Sequence, residues 1–446
     1  MRNTQPLLIP LLAVAISAGT AAAEVIPVAP LVALARRADL RVLEGRHLSL
    51  ATDRPPREGD GVTELPQIFD QACDAWCAHY GIDPQAIAAW RVFGCLVVDR
   101  ERIRAAGLLP DGIPDFANGF CDRNRFWMMD QSNPAYRRHL LLHEGVHAFT
   151  ITVRNLGAPV WYTEGIAECL ATHRLGADED GRIRFESTPV PLRAADVEQL
   201  GRIEKIRELR RQDRVPGLAD VLATPSGEHH EIAAYASSWA AVALLARHPA
   251  HAARFAAVER GVLDAALNDR LAAAPGWDAA QAARDFDAFT DDIDYGYDFA
   301  RSAVDWSPGA PLRGPRQLTV QSTRGWQNTG ASLVRGSRYA IAGRGRVTVG
   351  SLSAAGDAAG GTVLQSSPDG ISLRWYRGRP VGRLLAAQWV AADGPTARPR
   401  FVTLAEGTNG EFAAATDGPL YLKLNEAPGD LHDNEGELAV ELRPAP

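Results

Sequence analysis

Apolar positions recur in two rhythms along this chain, and the change from one to the other divides it. From Arg137 to about Phe299 they return at helical spacing, with Ala-rich stretches at Ala234–Ala246 and Ala279–Phe289, so this part is expected to be largely helix. Pro308 to Pro315 is a run of Pro and Gly that reads as a linker. Beyond it come short apolar runs, at Ser337–Ala342, Arg346–Val349, Gly370–Tyr376, Pro419–Leu424 and Glu437–Leu442. Gly, Asp and Ser separate them, which is the texture of an all-β sandwich or jelly roll of about 130 residues. The expected organisation is a mixed α/β part over 24–136, a helical part over 137–307, a linker over 308–315 and a β domain over 316–446.

Within the helical part, Arg137–Val153 reads as a buried helix. Arg154–Pro159 breaks it with Gly and Pro, and a second helix is expected over Glu164–Arg174 with Thr163 as its N-cap. A third opens near Glu228 and runs to about Arg247. Upstream, Asn124–Asp130 reads as a strand, either internal or at a sheet edge.

Composition narrows the classes. An apolar content of 46% in 446 residues fits a folded chain of two or three domains. The net charge of −7 argues against generic binding to nucleic acid or anionic membranes. The basic run Arg202–Arg214 is interleaved with Glu204, Glu208 and Asp213, and a solvated helix face or loop accounts for it. Arg2, the apolar run Leu7–Ile16 and Ala21-Ala22-Ala23 before Glu24 form a signal-peptide pattern over 1–23. The first cysteine is Cys73, so no lipid-acceptor cysteine stands at the cleavage site, and no later run approaches a membrane span. A secreted or periplasmic protein, not an integral membrane protein, is expected. Its five cysteines, Cys73, Cys77, Cys95, Cys121 and Cys169, then imply up to two disulfides and one leftover thiol, with Cys95–Cys121 the first pair to test.

The chemistry concentrates in His143-Glu144-Gly145-Val146-His147. On a helix, residues four apart lie on one face, so both imidazoles can hold one Zn²⁺ while Glu144 reaches the water on the metal. A zinc site needs a third protein ligand. Glu164, in Trp161-Tyr162-Thr163-Glu164-Gly165-Ile166-Ala167-Glu168, lies far enough on for a second helix to return beside the first. Glu168, one turn later, is placed to accept the outer N–H of a ligating histidine. Cys169 follows directly but points about 100° away, which sets it aside as a ligand.

An HExxH helix followed by a W-x-x-E-G-x-A helix resembles the gluzincin branch of the zincin metallopeptidases, over roughly Asn118 to Leu175. Val153 and Thr150 stand where a metzincin has His and Gly, so that branch does not match. The aminopeptidase G-x-M-E-N segment is missing upstream. The resemblance implies an α+β zincin-like metallopeptidase domain over 24–307 with a mixed N-terminal sheet. It implies His143, His147 and Glu164 as zinc ligands, Glu144 as general base and a peptide or protein substrate. It also implies an oxyanion donor downstream, where Glu228–Trp239 resembles the Y-x-x-S-W helix of gluzincin-like bacterial proteins. Tyr235 is the first choice and His230 the second; the alternative for Tyr235 is an aromatic packed on the site's helices. Thermolysin-like enzymes also use a substrate-pairing edge strand ahead of the HExxH helix, where Asn124–Asp130 lies.

The β domain has its own resemblance. Asn425-Glu426-Ala427-Pro428-Gly429-Asp430, continuing to Asp433-Asn434-Glu435-Gly436, resembles the calcium loop of small galactose-binding bacterial lectins. Asn425, Pro428, Gly429, Asn434 and Gly436 match, while Glu426 and Asp433 replace the family's Asp and Asn. The resemblance implies Ca²⁺ held by Glu426, Asp430, Asp433 and Asn434, and glycan as a partner; the plainer alternative is an Asx-rich turn. Two functions follow as expectations. One is an exported zinc metallopeptidase with a lectin-like accessory domain. The other is an envelope or extracellular glycan-binding protein whose zincin module is vestigial. Retention of Glu144 and all three ligand positions favours the enzyme.

Overall fold

The structure is a computed structural model that describes residues 24–197, 201–225, 232–352, 362–391, 394 and 398–446. The expected signal peptide and His230 lie outside the described residues. The chain is mixed α/β with several sheets and a β-rich C-terminal region. It forms two compact units. The first extends to Lys205 and adds Ala219–Ala246 and Ala252–Trp277; the second is Ile206–Leu218, Arg247–His251 and Asp278–Pro446.

The helices in chain order are α1 (Val28–Arg37), α2 (Leu65–Tyr80), α3 (Arg100–Ala105), α4 (Pro134–Val153), α5 (Val160–Ala171), α6 (Arg202–Arg211), α7 (Leu218–Leu222), α8 (Ile232–Arg247), α9 (Ala252–Arg260), α10 (Leu267–Ala272), α11 (Ala279–Asp292) and α12 (Phe299–Ser302). Strands β1 (Arg41–Glu44), β2 (Leu48–Thr52), β3 (Val92–Val97), β4 (Gly119–Asp122) and β5 (Arg125–Met129) form one sheet in the order β1-β2-β3-β5-β4. The three central strands are parallel and both edge strands antiparallel. Buried on both faces, β3 is apolar throughout, as such a strand must be. Phe93, Cys95 and Val97 meet Val32 and Ala35 of α1 and Ile103 of α3 on one face. On the other, Phe126 stacks on Phe69 of α2 at 6.4 Å.

The expected strand at 124–130 is present as β5, but it is internal. The edge strand beside it is β4, from which the chain doubles back through Arg123 and Asn124 into β5. The first helix begins earlier than its apolar pattern, at Pro134, where Asn133 caps the N–H groups of Ala135 and Tyr136. The second begins at Val160 rather than Glu164, so Thr163 is inside it and its hydroxyl donates to the Pro159 carbonyl at 3.3 Å. The helical half also contains a hairpin, β6 (His173–Ala177) with β7 (Ile183–Ser187). Gly165 is what lets α5 approach α8: a Cβ there would lie 2.4 Å from the Ser238 carbonyl oxygen.

All five cysteines are free and buried. The pair Cys95–Cys121 fails on geometry. Cys95 pairs with Trp127 and Cys121 with Phe126, from opposite sides of β5. Two strand spacings, about 9–10 Å, separate them, and their side chains leave opposite faces of the sheet, beyond the reach of a disulfide. Among the described residues no helix is long and apolar enough to cross a membrane.

The second unit contains β8 (Ala310–Pro311), β9 (Arg316–Gln321), β10 (Gln327–Leu333), β11 (Arg338–Arg344), β12 (Val347–Leu352), β13 (Thr362–Ser366), β14 (Asp369–Tyr376), β15 (Arg379–Val390), β16 (Arg400–Glu406), β17 (Asn409–Ala413), β18 (Gly418–Leu424), β19 (Asn434–Glu435) and β20 (Glu437–Pro444). They build sheets ordered β14-β15-β18-β10-β8 with β16 on β15, β17-β11-β20-β9, and β13-β12-β19. The five apolar runs of the sequence fall on β11, β12, β14, β18 and β20. Within the expected linker, Ala310–Pro311 pairs with β10. Val320, Ala331, Ile341, Val349, Leu384, Leu422 and Leu442, drawn from all three sheets, share one core.

Candidate metal centre

Helix α5 is buried over its whole length although it carries two glutamates, and α4 buries His139, His143, Glu144 and His147. Buried charge is tolerated only when it is paired, so these groups must answer one another. They do so where α4 packs on α5. His143 Nε2 and His147 Nε2 lie 3.0 Å apart. Glu164 Oε2 lies 3.4 Å from the first and 3.5 Å from the second. Zinc–nitrogen bonds of about 2.0–2.1 Å place neighbouring atoms of a tetrahedral shell about 3.3–3.4 Å apart. The triangle has the size that such an ion requires, and its donor chemistry is two imidazoles and one carboxylate.

Behind the triangle, Glu168 Oε1 is 3.3 Å from His143 Nδ1 and its Oε2 is 3.3 Å from His139 Nε2. Arg202 closes on the same carboxylate with two bonds, Nε to Oε2 at 3.0 Å and Nη2 to Oε1 at 2.7 Å. This fork is rigid and directional. It fixes the carboxylate that orients the His143 ring. Burial opposes the charge on Glu168, but Arg202 and His139 hold its pKa well below the ordinary range. Glu164 is likewise held low, by His147 and His143 against burial. Burial pushes His143 down, yet the adjacent Glu164 and Glu168 more than reverse this, to about 10.

Glu144 is fully buried, and neither carboxylate oxygen has a hydrogen-bond partner among the described residues. Burial pushes its pKa up to about 8. It occupies space that β4 leaves open: a Cβ on Gly119 would stand 2.4 Å from Glu144 Oε1. Tyr235, on α8, is buried with its ring 6.2 Å from that of His143, and its hydroxyl also lacks a partner among the described residues. A small cleft beside the triangle is lined by Asn118, Tyr136, His139, Glu168, Arg202 and Tyr235.

The sequence-predicted set His143, Glu144, His147, Glu164, Glu168 and Tyr235 is therefore brought together. Sequence reasoning missed His139, although it stands one helical turn before His143. It also missed Arg202, read as part of a solvated basic run, and Gly119. The loop at 425–436 is arranged differently. Asn425 Nδ2 donates to the carbonyls of Tyr376, Arg379 and Pro380 at 3.0–3.1 Å. Asn434 Nδ2 bonds Ser322 O at 2.9 Å and Glu426 Oε2 at 2.7 Å. Glu426 is buried, and burial pushes its pKa up to about 7, while Asp430 and Asp433 are exposed. The three acids are not among the groups of converging ligand atoms found in the described residues. A further group missed by sequence reasoning is His248, His251 and Asp285. Here His251 Nε2 meets Asp285 Oδ2 at 2.8 Å, and the Trp306 indole N–H donates to Oδ1 at 2.7 Å.

No protein-family model matches the chain, and no curated protein matches it. Among solved structures, one described as "EclA N-terminal domain; PllA-like lectin" is similar at 20% identity over 29% of this chain and 95% of that one, with a TM-score of 0.21. At that score the likeness carries no argument about fold or function.

The Glu168–Arg202 pair gives a stability prediction. Arg202→Met leaves the Glu168 carboxylate buried beside two imidazoles without its cation, and should cost about 3–5 kcal/mol. Chemical denaturation of the variant against the parent measures this; a loss under about 1 kcal/mol would contradict the pairing.

Proposed function

We propose that this chain is an exported zinc-dependent peptidase, with a zincin-like first unit and a β-sandwich second unit as accessory. The observation that carries the reading is the convergence of His143 Nε2, His147 Nε2 and Glu164 Oε2 to 3.0–3.5 Å. With Glu144 and the full ligand set retained, nothing in the site resembles a vestige. His143, His147 and Glu164 would hold the ion. A bound Zn²⁺ supplies water acidified to near neutrality and a Lewis acid for the substrate carbonyl.

The chain's own groups do the rest. Glu144 takes the proton of the attacking water and returns it to the leaving amine. Its partnerless, buried carboxylate is free for that exchange, and a dication nearby lowers the raised pKa. The Tyr235 hydroxyl donates to the developing oxyanion, a role worth about 2.7–4 kcal/mol. Glu168, clamped by Arg202, keeps the His143 ring in place.

Purified protein should hold about one zinc per chain and lose casein hydrolysis when a chelator removes it. Glu144→Gln should keep the metal and lose activity by about 10²–10⁴-fold. Metal-loaded wild-type protein inactive on every peptide tested would refute the reading. Gly119→Ala should displace Glu144 and lower kcat by about a hundredfold with zinc content unchanged. Parental kcat in that variant would place the base elsewhere. Zinc uptake also carries a pH signature. His143 is protonated at pH 7 in the metal-free protein, because its pKa is raised to about 10, and a ligating imidazole must be neutral. Loading should release between about one and two protons per ion, from His143 and from Glu144, whose raised pKa the ion lowers, and affinity should rise with pH up to about 10. Calorimetry in buffers of different ionisation heat counts the protons, and a count of zero would be inconsistent with this.

A further inference from the structure

A second group of ligand atoms converges away from the 143–164 centre and shares no residue with it. His248, His251 and Asp285 each offer one such atom, all within 4.8 Å of one another. The three side chains are buried, and all belong to the second unit. Local backbone sets the first two. The His251 N–H donates to the His248 carbonyl at 2.9 Å, closing a turn over His248-Pro249-Ala250-His251. That turn brings both imidazoles to one side, with ring centroids 5.0 Å apart and planes 29° from parallel. Asp285, on α11, faces both through one oxygen. Its Oδ2 lies 2.8 Å from His251 Nε2 and 3.8 Å from His248 Nδ1.

Two features set this group apart from an ordinary histidine–aspartate hydrogen bond. That bond needs one imidazole, yet a second is turned to the same oxygen at 3.8 Å, too far to bond it directly. His248 Nδ1 instead accepts a long contact from the Ala250 N–H at 3.3 Å. The other feature lies behind the carboxylate. The Trp306 indole N–H donates to Asp285 Oδ1 at 2.7 Å, which fixes the carboxylate and leaves Oδ2 to the imidazoles. Metal-binding carboxylates are commonly held by an outer hydrogen bond of this kind. Ligand atoms around a tetrahedral zinc stand about 3.3–3.4 Å apart, so shifts of about half an ångström turn the two observed spacings into edges of a ligand triangle.

We propose that His248 Nδ1, His251 Nε2 and Asp285 Oδ2 hold a second zinc ion. Two imidazole nitrogens and one carboxylate oxygen are donors that zinc takes, whereas Ca²⁺ and Mg²⁺ take oxygen ligands. Because all three side chains are almost wholly excluded from solvent, the ion acts by tying the 248–251 turn to α11. Binding replaces the His251–Asp285 hydrogen bond, with the His251 proton moving from Nε2 to Nδ1, and displaces the Ala250 contact. This ion is therefore held more weakly than the one at His143, His147 and Glu164, and it loads when zinc is added beyond the first equivalent. The site stands whether or not the chain is a peptidase.

The test is equilibrium dialysis of the full chain against rising Zn²⁺, with thermal melts alongside. A zinc equivalent that depends on His248 and not on His147 should appear. Wild type and His147→Ala should both take it up, so it is counted even if the 143–164 centre holds no ion. His248→Gln should bind it at least about 100-fold more weakly, with casein hydrolysis and the metal-free thermal midpoint unchanged. Trp306→Phe should weaken it about 10–100-fold through the carboxylate that the indole holds. Excess zinc should raise the midpoint of His147→Ala and leave that of the His147→Ala, His248→Gln double variant where it was. Identical dialysis curves for wild type and His248→Gln, or no His248-dependent equivalent up to about millimolar zinc, would overturn the proposal.

Discussion

Two carboxylates buried on one helix against three imidazoles on another are the constraint on which the first unit turns. Glu164 and Glu168 lie on α5, His139, His143 and His147 on α4, and all five are almost wholly excluded from solvent. Removing either carboxylate from water is costly, and only close partners offset it. Helices α4 and α5 are therefore held in one register, the one that places Glu164 against both Nε2 atoms and Glu168 against His143 Nδ1 and His139 Nε2. Arg202 supplies the cation that makes the second carboxylate tolerable. The triangle beside it is left with three ligand atoms facing one another, held together in the metal-free protein by the proton that the two glutamates keep on His143. That is a costly arrangement in the absence of a cation and a stable one around it.

Much of this was legible in the sequence because it is local. His143 and His147 share a face through helix periodicity, and Glu164 and Glu168 do so again one turn apart on the next helix. What was not legible depends on contacts between distant segments. Arg202 sits in a run of alternating charges that looks solvated, and nothing near it in sequence says that it meets Glu168, 34 residues away. Strand β5 was recognisable from its Phe, Trp and Met residues, but its place inside the sheet depends on β4, a four-residue strand too short to show a period. Gly119 carries no sequence signal at all. Its meaning comes from the 2.4 Å left between an absent side chain and Glu144.

The cysteines and the 425–436 loop fail for a related reason. Cysteine count and spacing bear on compartment, but bridging requires matched sheet faces, and Cys95 and Cys121 occupy opposite ones. In the loop, the matching asparagines bind carbonyls. Asn425 spans three of them across the β14–β15 turn, and Asn434 ties β19 to Ser322 and Glu426. A polar signature that resembles a ligand site is thereby committed largely to holding its own loop. Asx side chains are well suited to this, because they mimic backbone groups.

Several buried polar groups stay uncommitted around the His143–His147–Glu164 triangle. A buried donor or acceptor without a partner costs about 1–3 kcal/mol, so a fold that satisfies Asn425 three times over has the means to avoid such costs. At the first unit's candidate metal centre it leaves the Glu144 carboxylate and the Tyr235 hydroxyl without hydrogen-bond partners among the described residues. Around them lie groups that are firmly held, the Glu168–Arg202 fork above all. Rigid supports around unmet polar groups are what preorganisation requires. The cost of keeping those groups dry is recovered only when something arrives to meet them.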